Sequence, residues 1–311
     1  MIWTRLSAAL AAAVVFLAVP AASHAAPEGK IVIAQGVDPS TLDTMNQAET
    51  PASVVAEHLY NKLVERDASL KVVPALASEL PKLLAPTVWE IKLRKGVKFH
   101  NGEDFNADSV KFSLERVKTP ALRGSSSFKP IDRVEIVDAY TVKVHTTKPW
   151  PIFVVALNQS QAAMYPPKAY AGKDSLFISK NPIGTGPYRF VRWSKDEEIV
   201  LEANESYYRG AAKIKTVVFK PIPDDAVRVA ALQNGEVDVA VNIPPHLANI
   251  IANHPKLFLS TAPSVRTIQL MFYTHQFDAQ NKLVGPYQGP TADKRVRQAI
   301  ALALDVDEVI K

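Results

Sequence analysis

The stretch KIKTVVFKPIPDDAVRVAALQNGEVDVAV, residues 213–241, decides the fold class. Lys213 to Lys220 is rich in β-branched and aromatic residues and reads as a strand. Two prolines then bracket a turn, and Asp224 or Asp225 opens a helix carrying Val227, Ala230 and Ala231. Asn234-Gly235 supplies the left-handed stop that ends such a helix, and Val237 to Val241 is the next strand. Strand, helix and strand within so short a span predict an α/β architecture.

Working outward, Ile31-Val32-Ile33-Ala34 is a short apolar run that ends in turn residues Gly36, Asp38 and Pro39, which is the pattern of a buried strand. Thr50 is placed to cap a helix with Pro51 at its first position, and Val55, Leu59 and Leu63 recur every four residues. Between Thr87 and Leu93, Trp89, Ile91 and Leu93 alternate with Glu90 and Lys92, as in a half-buried strand. Asn106 is a good N-cap for a helix bearing Val110, Leu114 and Val117, with Asp108 in its first turn. Val134–Ile136 and Val142–Val144 form a hairpin pattern. A proline-rich passage then runs to Gly184-Thr185-Gly186-Pro187-Tyr188. It reads as a crossing between domains, with strands resuming at 188–193 and 199–201.

Of 311 residues, 47% are hydrophobic and 22% charged, which excludes a disordered tail, a collagen-like fibre and a coiled coil. The length suits about two domains. The formal charge of +5 comes without a dense Lys/Arg block, so no nucleic-acid partner is expected. The absence of cysteine excludes disulfides, thiolate metal sites, cysteine nucleophiles and a lipidated N-terminal cysteine. Arg5, the apolar run Leu6–Val19, Pro20 and the small residues Ser23 and Ala25 predict a cleavable signal peptide over residues 1–25. The mature chain then starts near Ala26 or Pro27.

Catalytic patterns are missing. There is no His-Glu-x-x-His, no Gly-x-Ser-x-Gly elbow, and Gly184-Thr185-Gly186 precedes a strand instead of opening a helix, unlike a phosphate loop. Glu103-Asp104 and Asp224-Asp225 are paired acids, but neighbours in sequence point apart and both sit in turn or cap contexts. His246 and His254 read as loop histidines rather than ligands. No enzyme activity, cofactor or metal is expected.

Four stretches together resemble the extracytoplasmic solute-binding proteins of family 5, the peptide, nickel and opine class that serves ABC importers. They are Trp89–Gly102 with Phe105–Val110; Pro182–Phe190 with Asn204–Tyr208 and Gly210; Leu232–Asp238; and Asp293–Ile300 with Ala303 and Asp305. The resemblance covers essentially the whole mature chain. It implies a periplasmic binding protein-like type II fold whose two lobes close on a solute. Residues 27–67 and 184–265 would form the first lobe, 68–183 an extra domain attached to it, and 266–311 the start of a second lobe that is largely missing. Apolar surface is therefore expected over 266–311.

The resemblance further implies a periplasmic monomer that passes a peptide-like solute to an ABC permease, with opines, oligosaccharides or metal chelates as the other cargo. Peptide-class members hold extended ligands through backbone hydrogen bonds. On the first lobe the loop after the opening strand is the expected contributor, here Gln35, Gly36, Val37 and Asp38. Gly36 admits a close backbone approach; Asp38 either meets a cationic ligand end or builds the turn with Pro39 and Ser40. Tyr273 and His275, near the second crossing, either face the cleft or, the favoured reading, serve core or hinge packing.

Overall fold

The computed structural model describes residues 26–261, 270–278 and 283–305. The expected signal peptide, the expected crossing near Val265 and the last six residues fall outside that set. The chain divides into two units, one up to Phe258 and one from Leu259.

The first unit opens with β1 (Glu28–Gln35), α1 (Thr50–Leu59) and a small hairpin of β2 (Val64–Arg66) and β3 (Val72–Pro74). Next come β4 (Lys82–Ala85), β5 (Val88–Lys92), α2 (Ala107–Arg116), α3 (Ser125–Phe128), β6 (Ile131–Asp138) and β7 (Thr141–Thr146). Three short helices occupy the proline-rich passage: α4 (Phe153–Ala156), α5 (Pro167–Tyr170) and α6 (Ser175–Lys180). The chain then runs through β8 (Tyr188–Ser194), β9 (Glu198–Ala203), β10 (Ile214–Pro221), α7 (Asp225–Gln233), β11 (Val239–Ala240) and α8 (Pro245–Ala252).

Two sheets organise these elements. β4-β5-β7-β6 is antiparallel, and β11-β1-β10-β9-β8 has a parallel half, in which β1 pairs with both β10 and β11. The β10-α7-β11 crossover spans β1, so β1 is covered on both faces and carries the unbroken apolar run seen in sequence. On one face Ile31, Ile33, Val217 and Phe219 join the main core, which also contains Leu59, Trp89, Val144 and Phe153. On the other, Val32, Ala34, Val200 and Val218 meet Ala231 and Val237 at α7.

Local chemistry sets the helix ends. The Asn106 side chain accepts from the Asp108 and Ser109 amides and forms a full capping box with Ser109. α1 begins one residue from its expected cap: Glu49 is the N-cap and makes no side-chain cap bond, because its carboxylate is turned to Ser40. The apolar stripe of α7 is also rotated from the expected one. Arg228, Val229 and Ala231 are buried and Val227 is 56% exposed, because the helix turns a hydrogen-bonded arginine inward.

The second unit contains a hairpin of β12 (His275–Phe277) and β13 (Leu283–Pro286), followed by α9 (Lys294–Ala303) capped by Asp293. Tyr273 is not core: it is 73% exposed and lies 6.1 Å from the Tyr287 ring, on a two-stranded hairpin that supplies no second layer. Met271 and Leu302 are more than 80% exposed. Among the described residues no helix is long and apolar enough to cross a membrane.

Candidate functional site

β1, β10 and β11 run in one direction and end together, Gln35 beside Pro221 and Ala34 beside Ala240. Open α/β sheets bind ligands outside the carboxyl ends of such strands, where the loops diverge. The loops leaving this edge are 36–39, 222–224 and 241–244. The turn between β8 and β9 joins them through Asp38.

The expected contact residues split into two kinds. Gln35 is buried, its carbonyl accepts from the Ile222 amide at 2.8 Å, and its Oε1 is buried without a protein partner. Gly36 is not in the left-handed region. A Cβ there would lie 3.5 Å from Arg228 Nη1, an ordinary contact, so neither the backbone conformation nor the packing against Arg228 requires glycine here. Val37 is 56% exposed and is the apolar tip of the loop.

Asp38 is 7% exposed and its carboxylate is already engaged. Trp193 Nε1 donates to both oxygens at 3.1 and 3.0 Å, Lys195 Nζ donates to Oδ2 at 2.8 Å, and the Asp196 amide donates at 3.0 Å. Lys195 also reaches the Pro39 carbonyl at 3.0 Å and lies over the Trp193 ring. Four donor contacts on one buried carboxylate fix the loop after β1 to the β8–β9 turn. A ligand amine reaching Asp38 would have to displace Lys195.

The expected crossing, Gly184–Tyr188, is pinned rather than loose. Gly184 accepts from the His100 amide at 2.8 Å and donates its own to His100 Nδ1 at 3.2 Å. His100 Nε2 donates to the Gly186 carbonyl at 3.1 Å, an oxygen that also accepts from Asn204 Nδ2. Thr185, 1% exposed, donates to Asn61 Oδ1, and the Gly186 amide donates to Leu59 O at 2.9 Å. Neither glycine has positive φ. They are required by close approach: a Cβ on Gly184 would lie 2.0 Å from Leu59 O, and one on Gly186 2.5 Å from His58 O. The same packing pulls the His100 imidazole pKa down to about 4, chiefly by burial. The Gly186 bond opposes that shift, and Arg189 adds to it.

Sequence reasoning missed two participants. Arg228 is 1% exposed on a helix face taken to be apolar, although its three-residue spacing from Asp225 was a legible pairing signal. Lys195 left no signal, because its partner lies 157 residues away. The paired acids behave as caps and surface pairs. Asp224 caps α7, Glu103 accepts from the Lys168 and Ala169 amides, and Asp104 meets Lys98 at 2.6 Å. Among the described residues no group of three or more His, Asp or Glu side chains is arranged to hold a metal ion.

A parallel strand edge with diverging loops is where open α/β sheets hold ligands. The profile of the bacterial extracellular solute-binding proteins, family 5 Middle, matches residues 71–311, and the chain belongs to this family. The glutathione-binding protein GsiB of Pectobacterium atrosepticum is 33% identical over 285 residues, which is 90% of this chain and 52% of that protein. GsiB of Escherichia coli K12 is 29% identical over 286 residues, 90% of this chain and 53% of that protein. The chain thus spans about half the length of the curated relatives it matches.

Solved structures agree. NikZ from Campylobacter jejuni in complex with Ni(L-His) has a TM-score of 0.67 at 32% identity, covering 74% of this chain and 46% of that one. DppA from Helicobacter pylori in complex with the peptide STSA has a TM-score of 0.67 at 27% identity, covering 73% and 49%. MoaA of Agrobacterium tumefaciens R10 with mannopinic acid gives 0.68 at 26% identity, covering 74% and 48%.

Proposed function

We propose that this chain is a solute-binding component, without catalytic activity, of an ABC importer in the periplasm. It takes up a peptide-like solute at the carboxyl edge of β1, β10 and β11. The observation that carries this reading is the shared edge itself, with three loops diverging from parallel strands and exposed Val37 at its tip. In support, the relatives that align over 90% of the chain are named for glutathione, itself a tripeptide-like molecule, and DppA was solved with a peptide. Gln35 to Val37 would offer backbone and apolar contacts to an extended ligand. Asp38 would hold that loop in place through Trp193 and Lys195.

The domain reading is part of the proposal: a first lobe of 27–67 with 184–265, an attached domain of 68–183, and a further lobe beginning at 266. It is supported by the five-stranded sheet, which draws on 28–35 and 188–240, and by the four-stranded one, which draws on 82–146. Gly184 to Tyr188 would be the rigid crossing between them. NikZ and MoaA keep a metal chelate or an opine as the second cargo reading.

The test is calorimetric titration of the chain with glutathione, the peptide STSA, Ni(L-His) and mannopinic acid. Saturable binding of glutathione or STSA supports the reading, and binding of one of the other two alone moves the cargo to that class. If none binds, residues 1–311 do not form a solute site and the proposal falls.

A further inference from the structure

Arg228 occupies an unusual position for a cation. Among the described residues it is the largest fully buried side chain, on α7, and its guanidinium reaches loops at the carboxyl edge of the sheet. Nη1 donates to the Ile222 carbonyl at 2.7 Å, in the loop after β10. Nη2 donates to the Asn242 carbonyl at 3.1 Å, in the loop after β11, and pairs with Asp225. A Cβ on Gly36, in the loop after β1, would lie 3.5 Å from Nη1. Asn242 has φ of 57°, a left-handed conformation that a non-glycine residue adopts only with support, and its carbonyl is the one Arg228 holds.

One planar group therefore bonds carbonyls in two of the loops that leave the parallel strands and lies close to Gly36 in the third. Burying a guanidinium is costly unless its donors are used, and a methionine or leucine of similar volume would pack at least as well in an apolar core. The geometry points to a different role. We infer that Arg228 is the positioning residue of the solute-facing edge, setting the relative heights of loops 222–224 and 241–244 beside Gly36 without touching solute itself. This rests on the reading that the edge faces solute. The rigid fork is what the task requires, since two carbonyls in different loops must be met at a fixed separation and lysine offers a single flexible point.

The test is amide hydrogen exchange on the wild-type chain and on Arg228→Met and Arg228→Lys. Two reporters sit at the mouth: the Ile222 amide, bonded to Gln35 O at 2.8 Å, and the Val241 amide, bonded to Ala34 O at 3.0 Å. The control is the Asp238 amide, bonded to Val32 O at 2.9 Å, further back along the same strand pair. In R228M both reporters exchange about tenfold faster or more while Asp238 keeps its wild-type rate, a local opening rather than a global one. R228K gives a smaller change in the same pattern.

Unchanged reporters overturn the inference. So does equal acceleration at Asp238, which would make Arg228 a mere element of the core. If R228M does not fold, R228K is judged by the same two criteria. Where the wild type binds glutathione or STSA, affinity for that probe falls about tenfold in R228M. Where none of the four probes binds, the functional proposal fails and the exchange comparison still decides the role of Arg228.

Discussion

His100 gives the crossing a dependence on pH whose sign and size follow from the geometry. Its Nδ1 accepts the Gly184 amide and its Nε2 donates to Gly186, so only the neutral ring with the proton on Nε2 satisfies both. Protonating Nδ1 would turn an acceptor toward a donor. The folded pKa is about 4 against an ordinary 6.5, with burial the main cause and Arg189 a further one. Between those values the unfolded chain binds a proton that the folded chain does not, so stability falls as pH falls. The contribution is complete above about pH 6.5 and is lost progressively down to pH 4. A displacement of this size corresponds to about 3 kcal/mol, at about 1.4 kcal/mol per pH unit.

The variant that isolates this effect is His100→Gln. Its amide can accept from Gly184 and donate to Gly186 but does not titrate in this range. Urea unfolding is followed by tryptophan fluorescence at pH 7, 6, 5 and 4.5, with Trp89, Trp150 and Trp193 all reporting from the first unit. The half-buried His58, whose pKa is also lowered by burial, contributes a slope common to both proteins. Relative to its value at pH 7, the stability of H100Q at pH 4.5 should gain on wild type by about 2.5 kcal/mol. Parallel curves over the whole interval would refute the reasoning, since the ring would then be free to accept its proton in the folded state.

Two further substitutions probe the same framework. Gly184→Ala forces a Cβ to within 2.0 Å of the Leu59 carbonyl, a backbone atom that cannot swing aside, and should cost about 3 kcal/mol or more; a thermal unfolding midpoint within 2 °C of wild type would be incompatible with that contact. Asp43→Ala removes the partner of Arg116, whose Nη2 donates to Asp43 Oδ2 at 2.6 Å, and of the Tyr165 hydroxyl at 2.8 Å. With Asp43 fully buried, about 3–5 kcal/mol should be lost, and adding Arg116→Met to the variant should recover part of it in the same denaturation assay.

The alternation at Trp89 and Ile91, the cap at Asn106 and the strand–helix–strand pattern over 213–241 were all legible, because each depends on residues within one or two turns of one another. That local information sufficed for the class of fold. The candidate site was less legible, for a physical reason that Asp38 illustrates. Whether an acid meets a ligand or its own chain depends on what lies near it in space, and its partners Trp193, Lys195 and Asp196 lie more than 150 residues on. Gly184 and Gly186 carry the same lesson for backbone. Their sequence context spoke of dihedral freedom, whereas the actual constraint is the distance to Leu59.

These long-range contacts are not scattered. Asp38 ties the loop after β1 to the β8–β9 turn, Arg228 ties the loop after β10 to the loop after β11, and His100 ties the crossing at 184–186 to the turn after Phe99. Each uses one polar side chain, poorly accessible to water, to hold backbone groups from separate segments, which is how irregular chain is kept in one shape without secondary structure. A binding edge made of loops gains affinity when their conformation is fixed before the ligand arrives, because less ordering remains to be done on binding. Only the Asp38 and Arg228 clasps act at the carboxyl edge of β1, β10 and β11; the His100 clasp holds the chain entering β8, at the opposite end of the sheet. The loop held by Asp38 is the one expected to meet solute, and it leaves Val37 exposed.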